Sequence, residues 1–111
     1  MSTARFPRGA LGDLLAAHGS PARVLIRVNG SVESIPQTRR IGEISARIGA
    51  DTVDTVVLAD RAHVMVVDDI GHPKGLPINE RATALYHQVC VRGTVHPIRG
   101  DVVVVPDRDF A

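Results

Sequence analysis

The chain has 111 residues, of which 44% are hydrophobic and 23% are charged, and its net charge at pH 7 is +1. This length and composition predict a single soluble domain with a core of its own. The small net charge excludes a strong overall attraction to nucleic acid or membrane, and an aromatic content of only 3% disfavours modules that stack on single-stranded bases. Neither nucleic acid nor membrane is therefore predicted as a partner.

The sequence also predicts a cytoplasmic location. Its one cysteine, Cys90, cannot form an intramolecular disulfide, so nothing indicates an oxidising compartment. The first ten residues lack the apolar stretch of a signal peptide, and the apolar runs are far shorter than a membrane span.

The first predicted element is a short helix over residues 9–18, whose leucines fall on one face. Residues 1–8 are polar and are predicted to be loose. A Gly-Ser-Pro run ends the helix. We therefore predict one domain, 1–111, in which residues 1–22 form an N-terminal helical extension to a core of residues 23–106.

A β-hairpin follows this helix. Apolar residues alternate from Val24 to Val28, and Asn29-Gly30 comes next. Because Asn and Gly tolerate positive φ, the pair predicts a type I′ turn, with residues 31–35 as the returning strand. A helix is then predicted over residues 38–48.

This central helix has recognisable ends. Thr38 is the predicted N-cap, isoleucines recur at offsets of three and four, and Gly49 stands at the C-terminal end.

The second half of the chain predicts another hairpin, a loop, a short helix and a last strand. The hairpin strands are residues 52–58 and 62–68, joined by Asp60-Arg61, and the loop covers 69–77. Asn79 is the predicted cap of a helix that ends near His87.

The last strand, residues 101–105, contains four consecutive valines without alternation, which predicts a central strand covered on both faces. The fold class is therefore α+β: two β-hairpins around a central helix plus a C-terminal strand, in a mostly antiparallel five-stranded sheet with the extra N-terminal helix.

The 71–79 loop is the main candidate site. Glycines give its backbone freedom, prolines restrict it, and one lysine lies beside the amides of a helix N-terminus, which together favour an anion. The alternative interpretation is a rigid turn in which the leucine fills the core and the asparagine only caps the helix. The predicted ligand-binding residues are Lys74, Gly75, Leu76, Pro77, Asn79 and Thr83.

Gly75-Leu76-Pro77 with Asn79, followed by the run 81–86 and by Gly100 before the valines, resembles a small family of unknown function. That family is encoded mainly by phages, plasmids and actinobacteria. The resemblance covers roughly residues 24–105. It implies an α+β fold and a phage or mobile-element setting, and it supplies no established chemistry.

Three arginines on or near the central helix, Arg39, Arg40 and Arg47, are candidates for phosphate contacts. Glu43 lies at helical spacing among them, which equally indicates ordinary surface ion pairs.

Catalysis and metal binding are not predicted. The five histidines are too scattered for a metal site, and Cys90 has no Cys-x-x-Cys partner. A hydrolase that uses Asp68, Asp69 and His72 is the weakest alternative, and a solvated loop explains these residues as well. No cofactor is predicted.

The predicted function is that of a non-enzymatic phage or mobile-element accessory protein that binds a small anionic ligand, for example a nucleotide-derived host defence signal. The alternative is a protein-interaction module that inhibits or adapts a host enzyme. Because valine-rich strands must protect their edges, a homodimer is also predicted.

Overall fold

The computed structural model describes residues 9–90 and 96–110. The predictions for residues 1–8 lie outside this stretch of the chain. The α+β class predicted from the sequence is confirmed, with three helices and an open five-stranded antiparallel sheet in the described residues. The helices are α1 Ala10–His18, α2 Ile41–Ile48 and α3 Glu80–His87. The strands are β1 Val24–Ile26, β2 Val32–Ser34, β3 Val53–Val57, β4 His63–Asp68 and β5 Val102–Pro106, followed by a 3-10 helix, Asp107–Phe110, which the sequence did not predict.

The sheet has the strand order β2-β1-β5-β4-β3, and each neighbouring pair is antiparallel. The valine strand β5 is central, and all five of its residues are buried, as the absence of alternation predicts. Val102 and Val104 face one core, and Val103 and Val105 face the other.

The two cores are covered by different helices. Ile44 and Ile48 of α2 pack on one face of the sheet, which confirms the predicted position of the central helix. Leucines of α1 and α3 cover the opposite face, where Leu11 and Leu85 are buried against β1, β4 and β5. The N-terminal helix thus contributes to the main core.

The turn of the first hairpin differs from the prediction. Arg27 accepts a hydrogen bond from the amide of Gly30 at 2.9 Å and donates its own amide to Ser31 at 2.9 Å. Within this turn only Gly30, with φ of 91°, is left-handed. The Asn29 side chain accepts a hydrogen bond from the amide of Ser31 and so holds a three-residue loop, which a glycine bulge closes. The prediction of a type I′ turn was therefore wrong.

The start of α2 also lies later than predicted. The helix begins at Ile41 with Arg40 as N-cap, so the prediction of Thr38 as cap was wrong. The Thr38 hydroxyl accepts from the Arg40 amide at 3.0 Å, two residues further on, in a local turn. At the other end Gly49 has φ of 70° and donates to Ala46, which confirms its predicted place.

A partly buried ion pair joins the 3-10 helix to the segment that directly precedes β1. The carboxylate of Asp109 accepts from Arg23 Nε at 2.8 Å and from Nη2 at 2.9 Å, and Gln37 donates to it at 3.2 Å. The hydrogen bonds from Arg23 lower the pKa of Asp109 and outweigh the opposite effect of burial. The same pair raises the pKa of Arg23.

We expect Asp109→Asn to lower the free energy of unfolding at pH 7 by roughly 1–3 kcal/mol, because the partly buried guanidinium of Arg23 loses its counter-charge. The folded-state pKa of Asp109 lies below its ordinary value of 3.8, so this stabilisation is present above pH 3.8 and is lost as the pH falls toward the folded pKa. Denaturant unfolding at several pH values should therefore show the two proteins converging in acid. Asp107→Asn, an exposed position of the same 3-10 helix, is the control. A constant difference from pH 7 to pH 2 would contradict this origin of the stability.

Candidate functional site

Lys74, the predicted mobile cation of the loop, is held in an ion pair. Its Nζ donates to Oδ2 of Asp68 at 2.6 Å, and the Asp68 side chain is only 1% exposed. The other oxygen of Asp68 accepts from the amide of Ile70 at 3.0 Å. Lys74 therefore neutralises a buried carboxylate and anchors the loop to the end of β4.

The Gly75-Leu76-Pro77 run belongs to a short antiparallel contact with the segment before β5. The Pro77 carbonyl accepts from the Gly100 amide at 2.8 Å, and the Asn79 amide donates to Ile98 at 2.8 Å. Leu76 lies over Gly100, where its Cδ1 would be 2.8 Å from any added Cβ, and Gly100 has φ of 84°. Leu76, Pro77 and Asn79 are thus joined to residues 98–100 by contacts within the fold.

Asn79 uses its whole side-chain amide inside the protein. Its Oδ1 accepts from the amide of Ala82 at 3.0 Å, which confirms the predicted N-cap of α3. Its Nδ2 donates to the carbonyls of Ile26 and Gly100, each at 3.0 Å. With 1% exposure, Asn79 is a buried link between α3, β1 and the start of β5.

Thr83, on the next turn of α3, has a similar role. Its Oγ1 accepts from the Ile98 amide at 2.9 Å and lies 3.4 Å from the Ile98 carbonyl. Among the predicted ligand-binding residues, Lys74, Asn79 and Thr83 use their side-chain polar atoms for bonds within the protein, and none of the six lines the cavity described below. Their binding of a ligand stays a prediction.

The three predicted phosphate-binding arginines lie on or beside the exposed side of α2. Arg40 Nε is 3.8 Å from Glu43 Oε2, and both side chains are more than half exposed, as in a weak surface pair. Arg39 and Arg47 are exposed, and neither forms an ion pair with another described residue. The structure gives these arginines no shared pocket.

The weakest predicted group, Asp68, Asp69 and His72, does line one cavity. This cavity, of about 160 Å³, lies between the end of β4 and the segment before β5. Its walls are Val67, Asp68, Asp69, Gly71, His72, Pro97, Ile98 and Arg99. We call it the Arg99 cavity. Because Asp68 is already paired with Lys74, the three predicted side chains do not all remain available to a substrate.

Arg99 is the residue of this cavity that the sequence analysis missed. Its Nη1 donates to the Leu76 carbonyl at 3.0 Å, whereas Nε is buried and has no hydrogen-bond partner. It is the one such side-chain atom among residues 9–90 and 96–110. The only sequence signal was its position between Ile98 and Gly100 of the resembling motif.

A buried histidine was also missed. His63 Nε2 accepts from the Ala22 amide at 3.0 Å, so Nδ1 carries the proton and donates to Asp60 Oδ2 at 2.6 Å. Burial raises the pKa of Asp60, but hydrogen bonds from Ala62 and His63 outweigh it and lower the pKa overall. Both ring nitrogens are therefore engaged, and this pair fastens the β3–β4 turn to the start of β1.

Further concave surfaces lie elsewhere among the described residues. A cleft of about 200 Å³ separates α1 from α3, and Asp13, His18 and Arg81 are among the residues that line it. A more open groove of about 490 Å³ lies beside α2, between Ile41 and Phe110.

No protein-family model, curated protein or solved structure matches the chain. Within the described residues, no helix is long and apolar enough to cross a membrane. In the same residues, no three His, Cys, Asp or Glu side chains are grouped so that they could hold a metal ion.

We expect Asn79→Ala to lower the free energy of unfolding by roughly 2–4 kcal/mol, more than a lost N-cap alone, because two buried carbonyls also lose their donor. Asn79→Asp separates the two contributions, since Asp and Asn are equivalent as N-caps. At pH 7 the Asp variant should be destabilised at least as much as the Ala variant, because a carboxylate would face the carbonyls of Ile26 and Gly100. Urea unfolding measures both. An Asp variant as stable as the parent would mean that the residue acts only as a cap.

Proposed function

We propose that the protein is a non-enzymatic binding protein and that the Arg99 cavity receives the anionic group of a small ligand. The observation that carries the proposal is Arg99 in the cavity wall, whose Nε is buried without a hydrogen-bond partner while its Nη1 donates to the Leu76 carbonyl. Buried polar atoms are almost always hydrogen-bonded, so an orphan at a cavity wall marks a place where a further partner fits.

The protein itself contains the geometry that such a partner would adopt. Arg23 binds the Asp109 carboxylate through Nε and Nη2, at 2.8 and 2.9 Å. Arg99 uses Nη1 for the Leu76 carbonyl, and its Nε is left without a partner. A carboxylate or phosphate matches the Nε–Nη2 edge of an arginine, because two of its oxygens accept two parallel N–H bonds.

Arg99 also lacks a counter-charge, because Asp68 is neutralised by Lys74 and no described carboxylate forms an ion pair with Arg99. The cavity volume of about 160 Å³ is below the roughly 300–1,000 Å³ that is common for whole drug-sized ligands. A small acid would fit entirely, whereas a nucleotide-derived signal, which the phage setting of the resemblance suggests, would insert only its phosphate.

The role proposed for the loop is consequently indirect. Lys74 neutralises Asp68, and the bonds of Asn79 and Thr83 fix the segment that carries Arg99. These residues position the site, and Gly71 allows the close approach, since a Cβ there would lie 3.1 Å from the Arg99 carbonyl.

We expect Arg99→Lys to weaken the binding of acetate and of inorganic phosphate at least about tenfold, because a lysine keeps the charge and loses the two-donor edge. Chemical-shift titrations of the uniformly ¹⁵N-labelled protein at constant ionic strength measure this, and the spectra report whether the fold is retained. Arg108→Lys, at an exposed arginine of the 3-10 helix, is the matched control. Anion binding that is equal in both variants would contradict the proposal, and so would a cavity that accommodates an ordered water only, with no anion bound at millimolar concentration.

A second candidate function, a protein-interaction module, is favoured by the groove beside α2. Ile41 and Val57 are 42% and 55% exposed near its apolar wall, which includes Val64 and Phe110. Arg39 and Asp107, which carry opposite charges, both line this groove. A second copy of the chain related by a twofold axis could place these charges against each other.

Such a homodimer would use the face of the sheet in preference to its β3 edge. The Asp54 carboxylate accepts from the amide of Thr55 at 2.8 Å, which occupies a donor on the edge strand with a charged side chain.

We expect sedimentation equilibrium to give a dimer for the parent chain and a monomer for Ile41→Asp, because a charge in the apolar groove opposes association. Ile70→Asp, at an exposed isoleucine outside the groove, should leave the dimer intact. A parent chain that remains monomeric at about 0.5 mM, a concentration at which even affinities weaker than micromolar produce dimers, would contradict this candidate.

A further inference from the structure

The Arg99 cavity contains a second charge that the anion alone would leave uncompensated. Asp69 lines the same cavity, and no ion pair joins it to Arg99 or to any other described residue. Arg99 and the exposed residue Asp69 thus both line one small space without forming an ion pair with each other.

The neighbours of Asp69 do not compensate this charge. Lys74 is committed to Asp68, at 2.6 Å, and the backbone amide of Asp69 donates to the Thr52 carbonyl at 3.1 Å. That backbone bond continues the β3–β4 ladder and fixes Asp69 at its end. A carboxylate can only accept hydrogen bonds.

This has a consequence for the ligand. A simple anion bound at Arg99 would be repelled by the nearby Asp69 carboxylate, whereas a ligand that also carries a donor would be attracted. An ammonium group complements the carboxylate best, because it supplies both a positive charge and N–H donors. The remaining walls include Val67, Pro97 and Ile98, which suit a short alkyl group.

We infer that the Arg99 cavity takes a small zwitterionic acid of the amino-acid class, with its carboxylate on Arg99 and its ammonium group on Asp69. This inference rests on the proposed function and narrows it. Both ends of such a ligand are read by side chains without described ion-pair partners, so the two charges select it over a bare carboxylate or phosphate of similar size.

Three ligands of nearly equal size test the inference: propionate, lactate and alanine share a carboxylate on a short carbon chain and differ in having no donor, a hydroxyl or an ammonium group. Chemical-shift titrations of the whole protein at pH 7 and constant ionic strength give the affinities. We expect alanine to bind at least tenfold more tightly than propionate, with lactate between them.

Substitutions of Asp69 and Arg99 test whether these two residues determine the preference for alanine and the affinity for the carboxylate. Asp69→Asn should reduce the preference for alanine over propionate to less than threefold, and Arg99→Lys should weaken all three ligands. Asp51→Asn, at an exposed aspartate away from the cavity wall, should change neither. The amide spectrum of each variant verifies that it is folded.

The two modes of failure are distinguishable. Propionate and alanine binding equally well, with both depending on Arg99, would overturn the amino-acid inference and leave the anion site in place. Absence of Arg99-dependent binding for propionate, lactate, alanine and phosphate would overturn the proposed function, and the inference with it.

Discussion

The side-chain amide of Asn79 is the interaction on which the rest of the structure depends. It caps α3 through Ala82 and donates to the carbonyls of Ile26 in β1 and Gly100 before β5. A helix from one face of the sheet and two neighbouring strands therefore meet at one buried group. Because every hydrogen-bonding atom of the amide has a partner, the polar group is compatible with an otherwise aliphatic core.

The Arg99 cavity is a consequence of this junction. Asn79 and Thr83 hold Ile98 and Gly100 through backbone atoms, so Arg99 between them has a fixed backbone. On the other side, the ion pair of Lys74 with Asp68 holds the loop that supplies Asp69 and Gly71. A rigid frame around a guanidinium whose Nε has no partner suits the proposed small-ligand site, because the binding of the ligand then orders little of the protein.

The elements of the fold that follow from local pattern could be predicted from the sequence. The valine run indicated a central strand, Gly49 a helix end, and Asn79 a helix cap, since each depends on a residue's own backbone preferences or on periodicity. The cap at Thr38 was wrong because a hydroxyl can bond the amide two residues on as readily as a helical one.

Contacts between distant residues could not be predicted in this way. The order of residues does not indicate that Asp68 pairs with Lys74 and not with solvent. It also does not indicate that Arg23 binds Asp109 while Nε of Arg99 has no partner. These contacts depend on how strands that are distant in the sequence pack together. A single sequence contains no residue spacing from which such packing can be predicted. The sequence therefore predicted the helix cap at Asn79, but it did not indicate Arg99 as the cation beside the cavity.

Native-state hydrogen exchange tests the central role of the Asn79 junction most directly. The amides of Asn79, Ala82, Ile98 and Gly100 all donate to partners at this junction. We expect them to exchange only through global unfolding, with free energies equal to that from urea denaturation and to those of the β5 amides. Exchange of these four amides through a local opening of much lower free energy, while β5 stays protected, would contradict the account.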